Sequence, residues 1–242
     1  MRDEYGDAAS PPVLRQALLL SVIEQLKQPL LHISRQAELP AVSAGPVDLH
    51  RMRVTADAAL RLLDNYLLGV QLGEGGGRMF ATGPVSVASV LYDVGDQLAP
   101  FAKLYGVTLD LQVEGRYGPV LAHRQGLEAA LASLGYALVE ALPAHDTPQL
   151  MLRLAAYRCP YGVVAGIYSE VPQLTAHALR LGRKLYGRTR QPLAPVTHGS
   201  GAGVFVADAL LHAMHARLFA SRHKHLQGLG AMLPVSAQLQ LV

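Results

Sequence analysis

The 242-residue chain is half hydrophobic and only 16% charged, which excludes a disordered polyelectrolyte and allows a sizeable buried core. With no Trp and four Phe, that core must be aliphatic. A formal net charge of +3 permits acidic partners without calling for nucleic acid, and the single cysteine, Cys159, excludes an intramolecular disulfide and a cysteine-based zinc site.

No apolar run reaches the roughly 18 residues that a membrane span needs. Residues 1–12 carry acidic side chains, lack an apolar stretch of signal-peptide type and end in Pro11-Pro12. They read as a flexible lead-in to a protein expected in the cytoplasm. Residues 13–72 then form a helical hairpin. Leu14, Leu18, Val22, Leu26, Leu30 and Ile33 recur every three or four residues and mark one helix face, with Pro29 inside the pattern. Residues 40–46 hold two prolines and a glycine and make the turn. Asp48 is the expected N-cap of a second helix, in which Met52, Ala56, Ala59, Leu63, Tyr66 and Val70 form the apolar face. A lone hairpin leaves one apolar flank open, so pairing with a second copy into a four-helix bundle is expected.

Residues 73–78, rich in glycine, form a linker, and the remaining segment, 79–242, changes character. Residues 85–103 read as a short strand and a helix, and 107–113 as a half-buried strand. Val120 and Leu121 mark another short strand, and 125–142 is an Ala-rich helix. Two strands, 150–157 and 163–168, flank a Cys-Pro-Tyr-Gly turn and predict a hairpin, followed by a helix over 171–186. A glycine loop at 198–203 opens a helix over 204–217, and strands at 218–222 and 229–233 close the domain. The fold class is α+β, with a mixed sheet and helices on one face.

Several of these segments resemble the sensor histidine kinases. Residues 23–30, Ile-Glu-Gln-Leu-Lys-Gln-Pro-Leu, resemble the phospho-acceptor box of that family, and the phospho-acceptor His falls on Glu24. Glutamate cannot form a phosphoramidate. The family's adjacent acid falls on Gln25. Residues 120–123 and 127–138 match the family's N-box region, with its first Asn on Ser133 and its second, a magnesium ligand, on Ala137. The strand that should lead to an Asp-x-Gly-x-Gly box instead ends Gly166-Ile-Tyr-Ser-Glu-Val-Pro172. The loop containing Gly199, Ser200, Gly201 and Gly203 resembles the family's last glycine box, where backbone amides at a helix start approach phosphates.

The resemblance implies a helical hairpin that dimerises, followed by an α/β sandwich of the histidine-kinase ATPase type. It implies a two-component signalling protein acting as a pseudokinase, with a response regulator or another kinase as partner. ATP and magnesium binding would be weakened, and the glycine loop would be the remaining cofactor contact. The alternative is a divergent but active ATP-dependent histidine kinase, with His32 as a displaced phospho-acceptor eight residues after Glu24. Other features have plainer readings. His223 and His225 alternate as on a strand, which would put both imidazoles on one face, but no Asp or Glu lies nearby in sequence to complete a metal site, and His212 and His215 add none. Arg180, Arg183, Lys184, Arg188 and Arg190 form the densest basic cluster, read as a solvated helix face rather than a specific nucleic-acid contact.

Overall fold

The computed structural model describes residues 48–74, 82–142, 150–170, 175–185, 193 and 201–236, together with residues 19, 23, 26, 27, 29–31 and 33–35. The earliest of these positions are all helical, and Leu26 packs against the main core. The first full element, α1 (Leu49–Glu74), begins where Asp48 caps it: the Arg51 N–H donates to Asp48 Oδ1 at 2.9 Å.

A short strand, β1 (Gly83–Val85), leads into α2 (Val87–Leu104). The buried residues of α2, from Val87 through Val90, Leu91, Val94, Leu98 and Phe101, step by three or four and define its inner face. After β2 (Val107–Glu114) and β3 (Val120–Ala122) comes α3 (Arg124–Ala141). The capping residue of α3 is His123, whose Nδ1 accepts the Gly126 N–H at 3.1 Å. Leu127, Leu131, Leu134 and Leu138 of α3 are fully buried, and each removes apolar area worth about 1.5–3 kcal/mol from water. This helix is the centre of the core. It lies between the sheet and the other helices, so almost every side is covered and its pattern is apolar all round rather than striped.

The expected hairpin is β4 (Leu150–Cys159) and β5 (Gly162–Ser169), paired antiparallel. Helix α4 (Ala176–Leu185) covers part of the expected 171–186, of which 171–174 and 186 lie outside the described residues. Helix α5 (Ala202–Ala213) starts at the glycine loop and stops four residues short of the expected end. The chain turns at His215, which takes a left-handed φ of 58°, and enters β6 (Arg217–His223), then β7 (Leu226–Leu233). A non-glycine residue in that conformation carries no sequence signal for a helix stop.

The five main strands form one mixed sheet in the order β2-β4-β5-β7-β6, parallel only between β2 and β4, while β1 and β3 form a separate pair. Alternation sends Leu152, Leu154, Val163, Ala165, Ile167, Leu218, Leu229 and Ala231 toward the helices. The opposite face carries a second, smaller cluster of Ala155, Tyr168 and Leu226, with Met151 and Tyr157 beside it. The chain is therefore α+β with a helical layer on one face of a mixed sheet, as the sequence predicts.

Candidate functional site

The described part of the glycine loop lies at the start of α5, where Gly201 is the N-cap with φ 68° and its carbonyl accepts from the Val204 N–H at 3.0 Å. A left-handed cap of this kind requires glycine in practice. Gly201, Ala202 and Gly203 are all buried, and the side chain of Leu193, itself 2% exposed, lies against Gly201. A Cβ on Gly201 would lie 3.0 Å from Leu193 Cδ1, and one on Gly182 of α4 would lie 2.5 Å from Leu193 Cδ2. Leu193 therefore fills the space between the α4 backbone and the α5 N-terminus. Gly199 and Ser200, also expected at this site, lie outside the described residues, as do Glu24 and His32.

Behind the loop, α5 packs directly on α3. A Cβ at Gly203 would fall 2.5 Å from the Ser133 carbonyl oxygen and 3.1 Å from Ala137 Cβ. Ser133 is occupied on its other side: its hydroxyl donates to the Ala129 carbonyl at 2.7 Å and accepts from Asn65 Nδ2 of α1 at 3.0 Å, while Asn65 also reaches the Ala129 carbonyl at 3.3 Å. The two positions where the resemblance places asparagines are thus a serine tied into a helix contact and a methyl group against a glycine. A hard cation needs oxygen ligands, and Ala137 offers none. The described residues of this seam do not fit a magnesium–phosphate group. At the far end of β5, Ser169 faces the helical layer with a fully buried hydroxyl that has no hydrogen-bond partner.

The basic cluster separates into different roles. Arg183 is a structural tie: its guanidinium donates to both Asp208 oxygens of α5, at 2.8 and 2.7 Å, and to the Leu218 carbonyl at 2.8 Å. The Asp208 carboxylate raises its pKa further. Arg180 and Lys184 are exposed, and Arg188 and Arg190 lie outside the described residues.

The histidines do not assemble either. His223 ends β6 and is 4% exposed, whereas His225 sits exposed in the turn after Lys224, whose φ of 56° breaks the alternation. The expectation that the two rings share a face fails because the strand ends between them. Among the described residues there is no cluster of His, Cys, Asp and Glu able to hold a metal ion.

Sequence reading missed two polar features. One is Asn65, whose partners lie on α3 far along the chain. The other surrounds His223 on the outer face of the sheet. Its ring stacks on Tyr157 at 5.5 Å and tilts against Tyr168 at 5.4 Å. The Tyr157 and Tyr168 hydroxyls both meet Ser221 Oγ, at 3.0 and 3.4 Å. Burial pushes the Tyr168 pKa up, so it stays a neutral phenol. In the sequence this region shows as His223 and as glycines on adjacent strands, Gly166, Gly228 and Gly230.

No family model matches the chain, and no curated protein matches it. Solved structures do. The histidine kinase AdeS of Acinetobacter baumannii superposes with a TM-score of 0.54 at 12% identity, covering 89% of this chain and 98% of that one. Full-length ShkA, in complex with AMPPNP, gives a TM-score of 0.53 at 18% identity over 95% of this chain and 47% of its own. The histidine kinase ThkA, in complex with the response regulator TrrA, gives 0.54 at 10% identity over 89% and 60%. At these identities the likeness establishes the fold: this chain has the histidine-kinase ATPase-type architecture. None of the described helices is long and apolar enough to cross a membrane.

Proposed function

We propose that this chain is a pseudokinase of the two-component type, acting through dimerisation and partner binding rather than phosphoryl transfer. The observation that carries the reading is the seam between α3 and α5. There Gly203 sits against the Ser133 carbonyl and Ala137 Cβ, and Leu193 covers Gly201. Apolar groups occupy ground that phosphate and magnesium would need, so a phosphate there would displace buried leucine surface and find no side-chain ligand at Ala137.

Dimerisation is supported by an apolar stripe that the described core leaves uncovered. Leu19, Ile23 and Leu30 are 44, 44 and 60% exposed, and Leu49, Leu60 and Leu67 of α1 are 71, 58 and 52% exposed. Successive members of the sets are spaced by four, seven or eleven residues, which on a helix returns to nearly the same face. A second copy covering both stripes would make a four-helix bundle. The partner class favoured by the fold is a response regulator or an active kinase, bound by the assembled bundle.

One observation favours the alternative of a divergent, active kinase: the unpartnered Ser169 hydroxyl at the end of β5, on the helical side of the sheet. A purine amino group could satisfy it. Thermal unfolding of the full chain with millimolar Mg-ATP, ADP and metal-free ATP separates the two readings. A nucleotide at a hundred times its Kd raises Tm by roughly 5–10 °C for a chain of this size. The pseudokinase reading expects no shift with any of the three. A shift of that size with Mg-ATP, followed by phosphate incorporation, rejects it.

A further inference from the structure

β2 and β6 are the two edges of the five-stranded sheet and share no ladder. They nonetheless meet across its outer face. Lys224, in the turn after β6, donates to Glu114 Oε1 at 2.7 Å and to Gln112 Oε1 at 2.7 Å, both on β2. His223 Nε2 lies 3.5 Å from Glu114 Oε2. Opposite edges of a flat sheet this wide would stand about 19 Å apart at the usual inter-strand spacing. The edges come this near over a stretch where β5 and β7 carry glycines. Tyr168 lies flat over Gly228, where a Cβ would be 2.7 Å from its ring, and its hydroxyl lies over Gly166 and Gly230. Tyr157 then spans from β4 to Ser221 on β6, and the His223 ring closes the stack from above.

Within this arrangement His223 is anomalous. Both ring nitrogens are buried and neither has a hydrogen-bond partner. An unpaired buried polar atom typically costs about 1–3 kcal/mol, and such exceptions call for an explanation. Glu114, the nearest carboxylate, gives Oε1 to Lys224, and its Oε2 stands 3.5 Å from His223 Nε2.

We propose that His223 is an acid-sensitive latch that holds the two edge strands together across the outer face while its ring is neutral and loosens them when it is protonated. Every group facing the ring bears on this. Glu114 of β2 would attract the imidazolium, but it also serves Lys224. From β4, Arg153 repels it, and Arg153 is itself paired with Asp110 of β2 at 2.8 Å with one Nη1 left unpartnered. Lys224 repels it from the turn. Tyr168 is a neutral phenol, Tyr157 presents its ring, β6 offers Ser221, and β7 presents Gly228 and Leu226. A charged ring would hold two N–H donors and find at most one acceptor. Its pKa is accordingly lowered from 6.5, by burial first, with Glu114 opposing and Arg153 and Lys224 assisting.

The sign follows from that direction. A basic group whose folded pKa lies below its unfolded value stabilises the fold fully above the unfolded value, near pH 6.5. The contribution is lost as pH falls from there toward the folded pKa. Glu114 is held low by Lys224 first, so it remains ionised through that window and does not release the latch itself.

The test is thermal unfolding of the full chain at pH 8.0 and 5.5, with the His223 Cε1–H resonance followed over the same range. The latch expects Tm to fall on acidification, His223→Phe to lose at least half of that fall, and the resonance to titrate below pH 6.5. An undiminished fall in His223→Phe overturns it, as does titration at or above 6.5. If His223→Phe does not fold, the wild-type resonance decides alone. Glu114→Gln then adds a second check: removing the one attractive group must lower the His223 midpoint further, and an unchanged midpoint overturns the contact.

Discussion

The two sides of the sheet differ in what they do with polarity. On the helical side, the seam between α3 and α5, where the resemblance places the asparagines and the last glycine box, is closed by Gly203 and Ala137, with Leu193 over Gly201. On the outer side, where no described helix packs, a histidine, two tyrosines, a serine and an Arg–Asp pair are drawn into a small interior of their own. Packing tolerates small apolar residues anywhere the gap is narrow, but each buried polar atom must be matched or carried at a cost. Conserved architecture therefore says little about where the polar groups of a particular chain have collected.

Three substitutions press on this contrast. Leu193→Ala should cost the most, about 2–5 kcal/mol, because it empties a buried site between Gly182 and Gly201. Chemical denaturation measures the loss. The sealed-seam account also expects that the variant gains no thermal shift from Mg-ATP, since Ala137 still offers the metal nothing. A restored shift would show that Leu193 alone blocks a competent site. Gly203→Ala should cost about 1–3 kcal/mol, because the new methyl meets the Ser133 backbone at 2.5 Å and the helices must part. A neutral outcome would mean that the seam is loose. Asn65→Ala should cost only about 1 kcal/mol, because Ser133 keeps its own bond to the Ala129 carbonyl. Hydrogen exchange should register it as faster opening of α1 while the sheet amides stay protected.

Much of the helical side was legible in the sequence. The three-and-four spacing of α1, the Asp48 cap and the Cys-Pro-Tyr-Gly turn of the β4–β5 hairpin are local signals, and each element lies where local chemistry puts it. The end of α5 was not legible, because His215 turns the chain without a glycine or proline to mark it. Nor was the burial of His223. It depends on glycines on β5 and β7 that leave room for Tyr168, and on Tyr157 from β4, so no window around residue 223 contains the cause. Leu193 reads in sequence as an ordinary loop leucine. Its place over Gly201 is set by contacts with α4 and α5.

Helix α1 has 26 residues and so extends about 39 Å, with Asn65 some two-thirds of the way along. It is held to the body along much of that length: Val54, Ala58, Leu63, Tyr66 and Leu68 pack into the main core, and Asn65 reaches α3. A rod fastened at so many points has no hinge of its own, so any turn of the body is carried ungeared to the stripe that Leu49, Leu60 and Leu67 leave open.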